Sequence, residues 1–192
     1  MNWHRRTMPR CMKPAALAAM SLLLAGCAGL QQSTAELAMF YRDYAGPAAG
    51  RPTALMRLSA DGVIRVTPDS GCADFLKPDT GVALFSMPST KDYSHLHNRK
   101  LGVKGDAPPG ITSTEIALEA GKPAVISFTR NWTHRGTGYL CQVHRSLTPE
   151  AGAQYQLLAE PVLAEGRCTF VVARVSEPAA LVPTAEAKLC GR

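Results

Sequence analysis

The residues able to do chemistry are few and scattered. His95 and His97 are the one close histidine pair. Residues two apart on a strand project to the same side and can share a metal ion. Such a site needs a third and a fourth ligand, and only Asp92, His134 and His144 offer themselves, so no metal and no cofactor is expected. A serine hydrolase needs a nucleophile, a base and an orienting acid, but there is no Gly-x-Ser-x-Gly element to carry the nucleophile. Glu150, Glu160 and Glu165 fall at turns, where solvated acids are ordinary, and no glycine-rich phosphate loop is present. The chain is expected not to be an enzyme. The segment Arg130-Asn131-Trp132-Thr133-His134-Arg135 is different in kind. An exposed Trp132 beside Arg135 can stack on a sugar or anchor a protein interface; a Trp132 that closes one end of the core is the competing reading. Trp132, Arg135, His95 and His97 are the candidate binding residues.

The elements that must position these groups are mostly strands. Leu55–Leu58 and Val63–Val66 flank Asp61-Gly62, the strongest short hairpin signal in the chain. Gly81–Phe85, Thr114–Leu118, Ala124–Thr129, Tyr139–Arg145, Gln154–Glu160 and Arg167–Val175 follow as further strands, the last two forming a hairpin over Ala164-Glu165-Gly166. Asn131–Gly138 reads as a loop. Met87–Gly110 is long and irregular, and a long loop in a compact domain is either functional or disordered. About eight short strands with frequent turns and little helix predict an all-β, antiparallel β-sandwich. Tyr155, after the Pro149/Gly152 corner, is expected to pack that corner and hydrogen-bond back across it. Ahead of the strands, Ala35–Tyr44 has apolar residues at helical spacing and Gly46–Pro52 breaks any element. This makes residues 27–52 a tether with a short helix or a plain spacer, and 53–192 the sandwich domain.

The N-terminus supplies an address. Arg5, Arg6, Arg10 and Lys13 precede an apolar run from Ala15 to Leu24, followed by Ala25-Gly26-Cys27. A run of about ten apolar residues is too short to span a bilayer, which needs roughly twenty. Leu24-Ala25-Gly26-Cys27 resembles the lipobox of bacterial lipoproteins. That resemblance implies cleavage after residue 26, a diacylglyceryl thioether on Cys27 and usually an acylated amine. Two or more acyl chains anchor stably where one binds marginally. Ala28 stands where an inner-membrane retention signal would place Asp, which implies the outer membrane, facing the periplasm. Membrane lipid, through Cys27, is one expected partner and an envelope protein another.

Removal of residues 1–26 leaves 166 residues (192 − 26) and takes four of the 21 Lys and Arg with it. The net charge falls from +6 to +2 (17 − 15), which removes the only compositional support for a nucleic-acid partner. With Cys11 lost and Cys27 lipidated, Cys72, Cys141, Cys168 and Cys190 remain, an even number that in an exported chain reads as two disulfides. Cys72–Cys141 with Cys168–Cys190 is the expected pairing, the second holding the tail onto the last strand. The order Glu119-Ala-Gly-Lys-Pro123, strand, Cys141, Pro149-Glu-x-Gly-x-x-Tyr155, strand, Gly166-x-Cys168 resembles small proteobacterial lipoproteins with transthyretin-like or immunoglobulin-like sandwiches. It covers roughly residues 53–176, and its motifs are turn and core residues, so it implies a fold and no activity. Residue types and resemblance together predict a non-catalytic, membrane-anchored periplasmic lipoprotein serving as an envelope structural or protein-interaction module. The alternative is a periplasmic adaptor or inhibitor, such as a secretion-system lipoprotein or a cell-wall-hydrolase inhibitor, acting through loops 87–110 and 131–138.

Overall fold

The computed structural model describes residues 41–191 apart from 90, 163, 164, 166, 177 and 178. Cys27 and its lipobox lie outside the described residues. The strands are β1 (Thr53–Ala60), β2 (Val63–Pro68), β3 (Gly81–Phe85), β4 (Ser113–Glu119), β5 (Ala124–His134), β6 (Thr137–Leu147), β7 (Gln154–Val162), β8 (Arg167–Arg174), β9 (Ala180–Leu181) and β10 (Ala185–Glu186). They form two five-stranded sheets, β4-β1-β7-β8-β9 and β10-β6-β5-β2-β3, in which only β1 and β7 pair in parallel. The protein is a β-sandwich. Its core sets Ile64, Leu84, Ile126 and Phe128 of one sheet against Met56, Leu58, Ile116, Leu118 and Leu157 of the other. These are alternate positions on each strand, as a pleated face requires.

The Asp61-Gly62 hairpin does not form. β1 pairs with β4 and β7, whereas β2 pairs with β3 and β5, so the chain passes from one sheet to the other at this dipeptide. A two-residue hairpin turn of the Asp-Gly kind needs positive φ, and neither residue has it. Gly62 is required for another reason. A β-carbon there would stand 2.5 Å from the Phe128 ring and 2.7 Å from the Thr129 carbonyl oxygen. The expected loop 131–138 is instead strand. Pairing continues through Trp132↔Tyr139 to His134↔Thr137, leaving Arg135-Gly136 as the turn, both at positive φ. Arg135 holds φ at 50° without glycine's freedom, a conformation that its residue type does not signal.

Residues 41–44 are extended rather than helical. Val82 of β3 receives the Tyr44 amide on its carbonyl (2.8 Å) and donates its own amide to the Arg42 carbonyl (2.7 Å). The end of the expected tether is thus docked onto the domain; residues 27–40 of it lie outside the described residues. Tyr155 does what its position suggested: it is buried, and its hydroxyl accepts the Glu150 amide at 3.1 Å. Tyr155→Phe should cost about 0.5–1.5 kcal/mol, read as a lower urea midpoint with an unchanged slope.

The disulfides differ from expectation. They are Cys72–Cys190 and Cys141–Cys168, with Cα separations of 5.1 and 5.7 Å. Cys141 faces the core from β6 and Cys168 lies on β8 of the other sheet, so this bridge staples sheet to sheet. The tail does not return to β8 at its end. It runs beside the loop after β2, where the Ala73 amide donates to Lys188 and the Cys190 amide to Ala73, which brings Cys190 to Cys72.

The irregular segment 87–110 is an ordered strap. Its first half holds a 3-10 turn at Ser94–Leu96, and buries Tyr93 and Leu96 against Val63, Val82 and Phe85 on the outer face of the β2–β3 sheet. Its second half lies over the outer face of the other sheet, fixed by one ion pair. Arg57 and Glu115 are cross-strand partners on β1 and β4, with side chains only 2 % and 1 % exposed. Arg57 Nη2 and Nε donate to Glu115 Oε1 at 2.8 and 3.2 Å, and Nη2 also donates to the Val103 carbonyl at 2.6 Å. Glu115 Oε2 accepts the amides of Leu101, Gly102 and Val103 at 2.6, 2.8 and 3.1 Å. Asn98 and Arg99 meanwhile cover the β4 edge through hydrogen bonds with Ser113 and Glu115, closing an edge that would otherwise be a pairing hazard.

Burial alone would raise the Glu115 carboxyl, but the Leu101, Val103 and Gly102 amides and the Arg57 guanidinium more than reverse this and hold it at about 2. A carboxyl depressed on folding stabilises the native state fully above its unfolded value, near 4.5, and the contribution disappears as pH falls through the folded value. Stability should therefore drop by about 3 kcal/mol between pH 4.5 and 2 on this account. Urea midpoints across that window should fall for the wild type and flatten for Glu115→Gln.

Candidate functional site

The two regions singled out by sequence meet on the outer face of the β10-β6-β5-β2-β3 sheet. Beyond β2, whose last pair is Val63↔Thr129, the β5–β6 hairpin continues as a two-stranded arm. Met87 and Pro88 of the strap line chambers shared with that arm. A cleft of about 660 Å³ is lined by Arg65, Phe85, Tyr93, Asn131 and Leu140 among others, within the range of small-molecule sites. A second chamber of about 740 Å³ carries Arg130, Trp132 and Tyr139. Met87, Pro88, Asn131 and Leu140 line both, so the two adjoin; Asn131 and Leu140 project from the outward face of the arm, and Trp132 and Tyr139 from the core-facing one.

The groove is largely apolar and is built by stacking. Phe85 and Tyr93 stack with centroids 4.2 Å apart and planes 10° from parallel. Trp132 and Tyr139, cross-strand partners in the arm, stack at 5.4 Å and 14°. Leu140 is 64 % exposed. Lys91 Nζ sits 4.7 Å over the Tyr93 ring and donates to the Tyr41 carbonyl at 3.1 Å. Arg65 is buried, with its guanidinium 5.5 Å over the Phe75 ring, and burial pushes its pKa down.

The sequence-flagged residues divide between groove and surroundings. Trp132 is half-buried: it packs on the core and also lines the second chamber, so both readings of it hold in part. Its indole Nε1 is buried and has no hydrogen-bond partner among the described residues. Arg135 is at the exposed tip of the arm and lines neither chamber. His95 and His97 do not converge on one point. His95 Nε2 lies 2.7 Å from Asp43 Oδ2, and His97 Nε2 donates to the Phe85 carbonyl at 2.6 Å. No group of three metal-ligating side chains occurs among the described residues.

One Ser–His contact resembles catalytic geometry. His144 Nδ1 is 2.8 Å from Ser127 Oγ, and burial lowers the His144 pKa, which keeps the ring neutral near pH 7. Ser127 is 1 % exposed and His144 leans on Phe75 at 5.8 Å. A nucleophile must reach its substrate, and this hydroxyl does not, so the contact satisfies two polar groups under the Phe75 ring.

Sequence reading missed Arg65, Lys91, Tyr93 and Leu140. A signal for Leu140 existed: it is an apolar residue at the outward position next to the inward Cys141. For the strap residues there was none, because their placement depends on contacts distant in sequence. No protein-family model and no curated protein matches this chain.

Proposed function

We propose that this protein is a non-catalytic lipoprotein, anchored through Cys27 in the outer membrane and facing the periplasm, that works as an envelope interaction module. The observation that carries the reading is the groove, where the strap and the β-arm hold Phe85, Tyr93 and the exposed Leu140 on one sheet face. Exposed apolar and aromatic residues beside fixed polar groups are what a binding surface presents. The lipobox supports the anchor, and the two disulfides fit an oxidising compartment. Among the described residues no helix is long and apolar enough to cross a membrane.

The test has two arms. Cys27→Ser should move the protein from the membrane fraction to the soluble fraction and abolish acyl labelling. Leu140→Asp and Trp132→Ala should each lose an envelope component that co-purifies with the wild type after cross-linking, while Glu160→Ala on the opposite sheet keeps it. Membrane association that survives Cys27→Ser would remove the anchor. Recovery of the same component from all three groove and control variants would remove the groove.

A further inference from the structure

The groove is polarised along its length. Its floor is made of outward positions on β2, β5 and β6: Arg65 lies beside Ser127, Val63 beside Thr129, and Asn131 beside Leu140. It therefore follows the strands from Arg65 to Leu140, a run of four residues on β5 or about 13 Å at a strand's rise. Arg65 and Lys91 line the first chamber with Tyr93, Lys91 lying 4.7 Å over its ring, and among the described residues no Asp or Glu lines that chamber. The Tyr93 hydroxyl is buried there and has no hydrogen-bond partner among the described residues. A buried donor left without an acceptor is costly. Towards the far end the lining turns apolar, with Met87, Pro88 and the exposed Leu140. The cation at that end, Arg130, is held by Asp61 at 3.3 Å.

We infer that the groove binds an amphiphile with one anionic head and a linear apolar body. Its head would lie at Arg65, Lys91 and Tyr93, and its chain would run over Val63 and Met87 to Leu140. The inference rests on the groove being the protein's working surface and names the ligand class for it. Charge sign selects the head: two cations and a hydroxyl donor favour an anion and oppose a cation. The length and the apolar far end select a linear body over a compact one.

The test uses the full chain carrying Cys27→Ser, purified without detergent, so that neither its own acyl chains nor micelles compete. Dodecanoate, dodecyl phosphate, methyl dodecanoate and dodecyltrimethylammonium are titrated below their micellar concentrations by calorimetry. Dodecanoate or dodecyl phosphate should bind one to one, the neutral ester at least tenfold more weakly, and the cation more weakly still. The stronger of the two anions identifies carboxylate or phosphate as the head. Lys91→Glu, at an exposed side chain, should weaken the anion tenfold or more without lowering thermal stability. Tyr93→Phe should weaken it severalfold, and Leu140→Asp should weaken all four probes together. Equal affinity for the three head charges, indifference to Lys91→Glu, or absence of binding would overturn the inference. Preference for an apolar pentapeptide with a free C-terminal carboxylate over dodecanoate would overturn it in favour of a peptide terminus. If no amphiphile binds yet Leu140→Asp still loses its envelope component, the ligand class fails and the interaction module stands.

Discussion

Glu115→Ala should lower the unfolding free energy by about 3–5 kcal/mol, the usual cost of breaking a buried ion pair from one side. The loss exceeds the Coulomb attraction because the guanidinium of Arg57 stays buried without its carboxylate. Three strap amides, those of Leu101, Gly102 and Val103, lose their shared acceptor in the same step. Arg57→Ala should cost a similar amount. The double variant Arg57→Met/Glu115→Leu should recover much of it, since an apolar pair of like volume leaves no orphaned charge. By contrast, Lys122→Ala removes an exposed pair with Asp69 and Glu119 and should change stability by less than about 1 kcal/mol. Urea denaturation gives all four values. Hydrogen exchange adds a local reading, because the amides of Leu101–Val103 should lose protection in Glu115→Ala well below global unfolding. An Arg57→Met/Glu115→Leu protein as unstable as either single variant would show that the strap needs the charges themselves.

Removal of the disulfides should be comparably costly, and unequally so. In the chain-entropy account the loss grows with the loop closed. Cys72–Cys190 spans 118 residues and Cys141–Cys168 spans 27, giving about 5 and about 3.5 kcal/mol respectively. The double alanine variant of the first pair should therefore lose more. It should also free the tail, whose strands β9 and β10 are two residues each, while the sandwich keeps its β-sheet signal. Loss of the Cys141–Cys168 staple should instead loosen the contact between the two sheets beside the arm. Stability measurements on both double variants, with peptide mapping of the wild type, test the order and the pairing. A larger loss for Cys141–Cys168 would place native-state packing above loop closure.

The sequence revealed what depends on alternation. The eight strands of five residues or more, the β7–β8 hairpin and the Tyr155 corner all follow from a period of two and from local turn chemistry. It misled where a local signal met a global constraint. Asp61-Gly62 has hairpin composition, but β1 is held between β4 and β7 and joined to β4 by Arg57–Glu115, so the dipeptide serves a crossover. Asn131–Gly138 has loop composition, yet the Trp132–Tyr139 stack carries the strands on to a two-residue turn. The disulfide pairing was hidden because the path of the tail is set by Ala73 and Lys188, more than a hundred residues apart in the chain. The candidate site was legible as two regions, 87–110 and 131–138, but not as one surface. Nothing local shows that Arg65, a charged residue on a strand, is buried with its guanidinium against the Phe75 ring.

The most direct test of the whole account is a photo-cross-linking experiment in native envelopes. Leu140 is replaced by a benzoylphenylalanine in the full, membrane-anchored chain, with the same replacement at Glu160 as the control on the opposite sheet. A discrete adduct is expected from position 140, a lipid or a protein of defined mass, that is absent at Glu160 and lost on adding Lys91→Glu or Trp132→Ala. No adduct at 140, or the same adducts from both positions, would contradict a binding role for this groove.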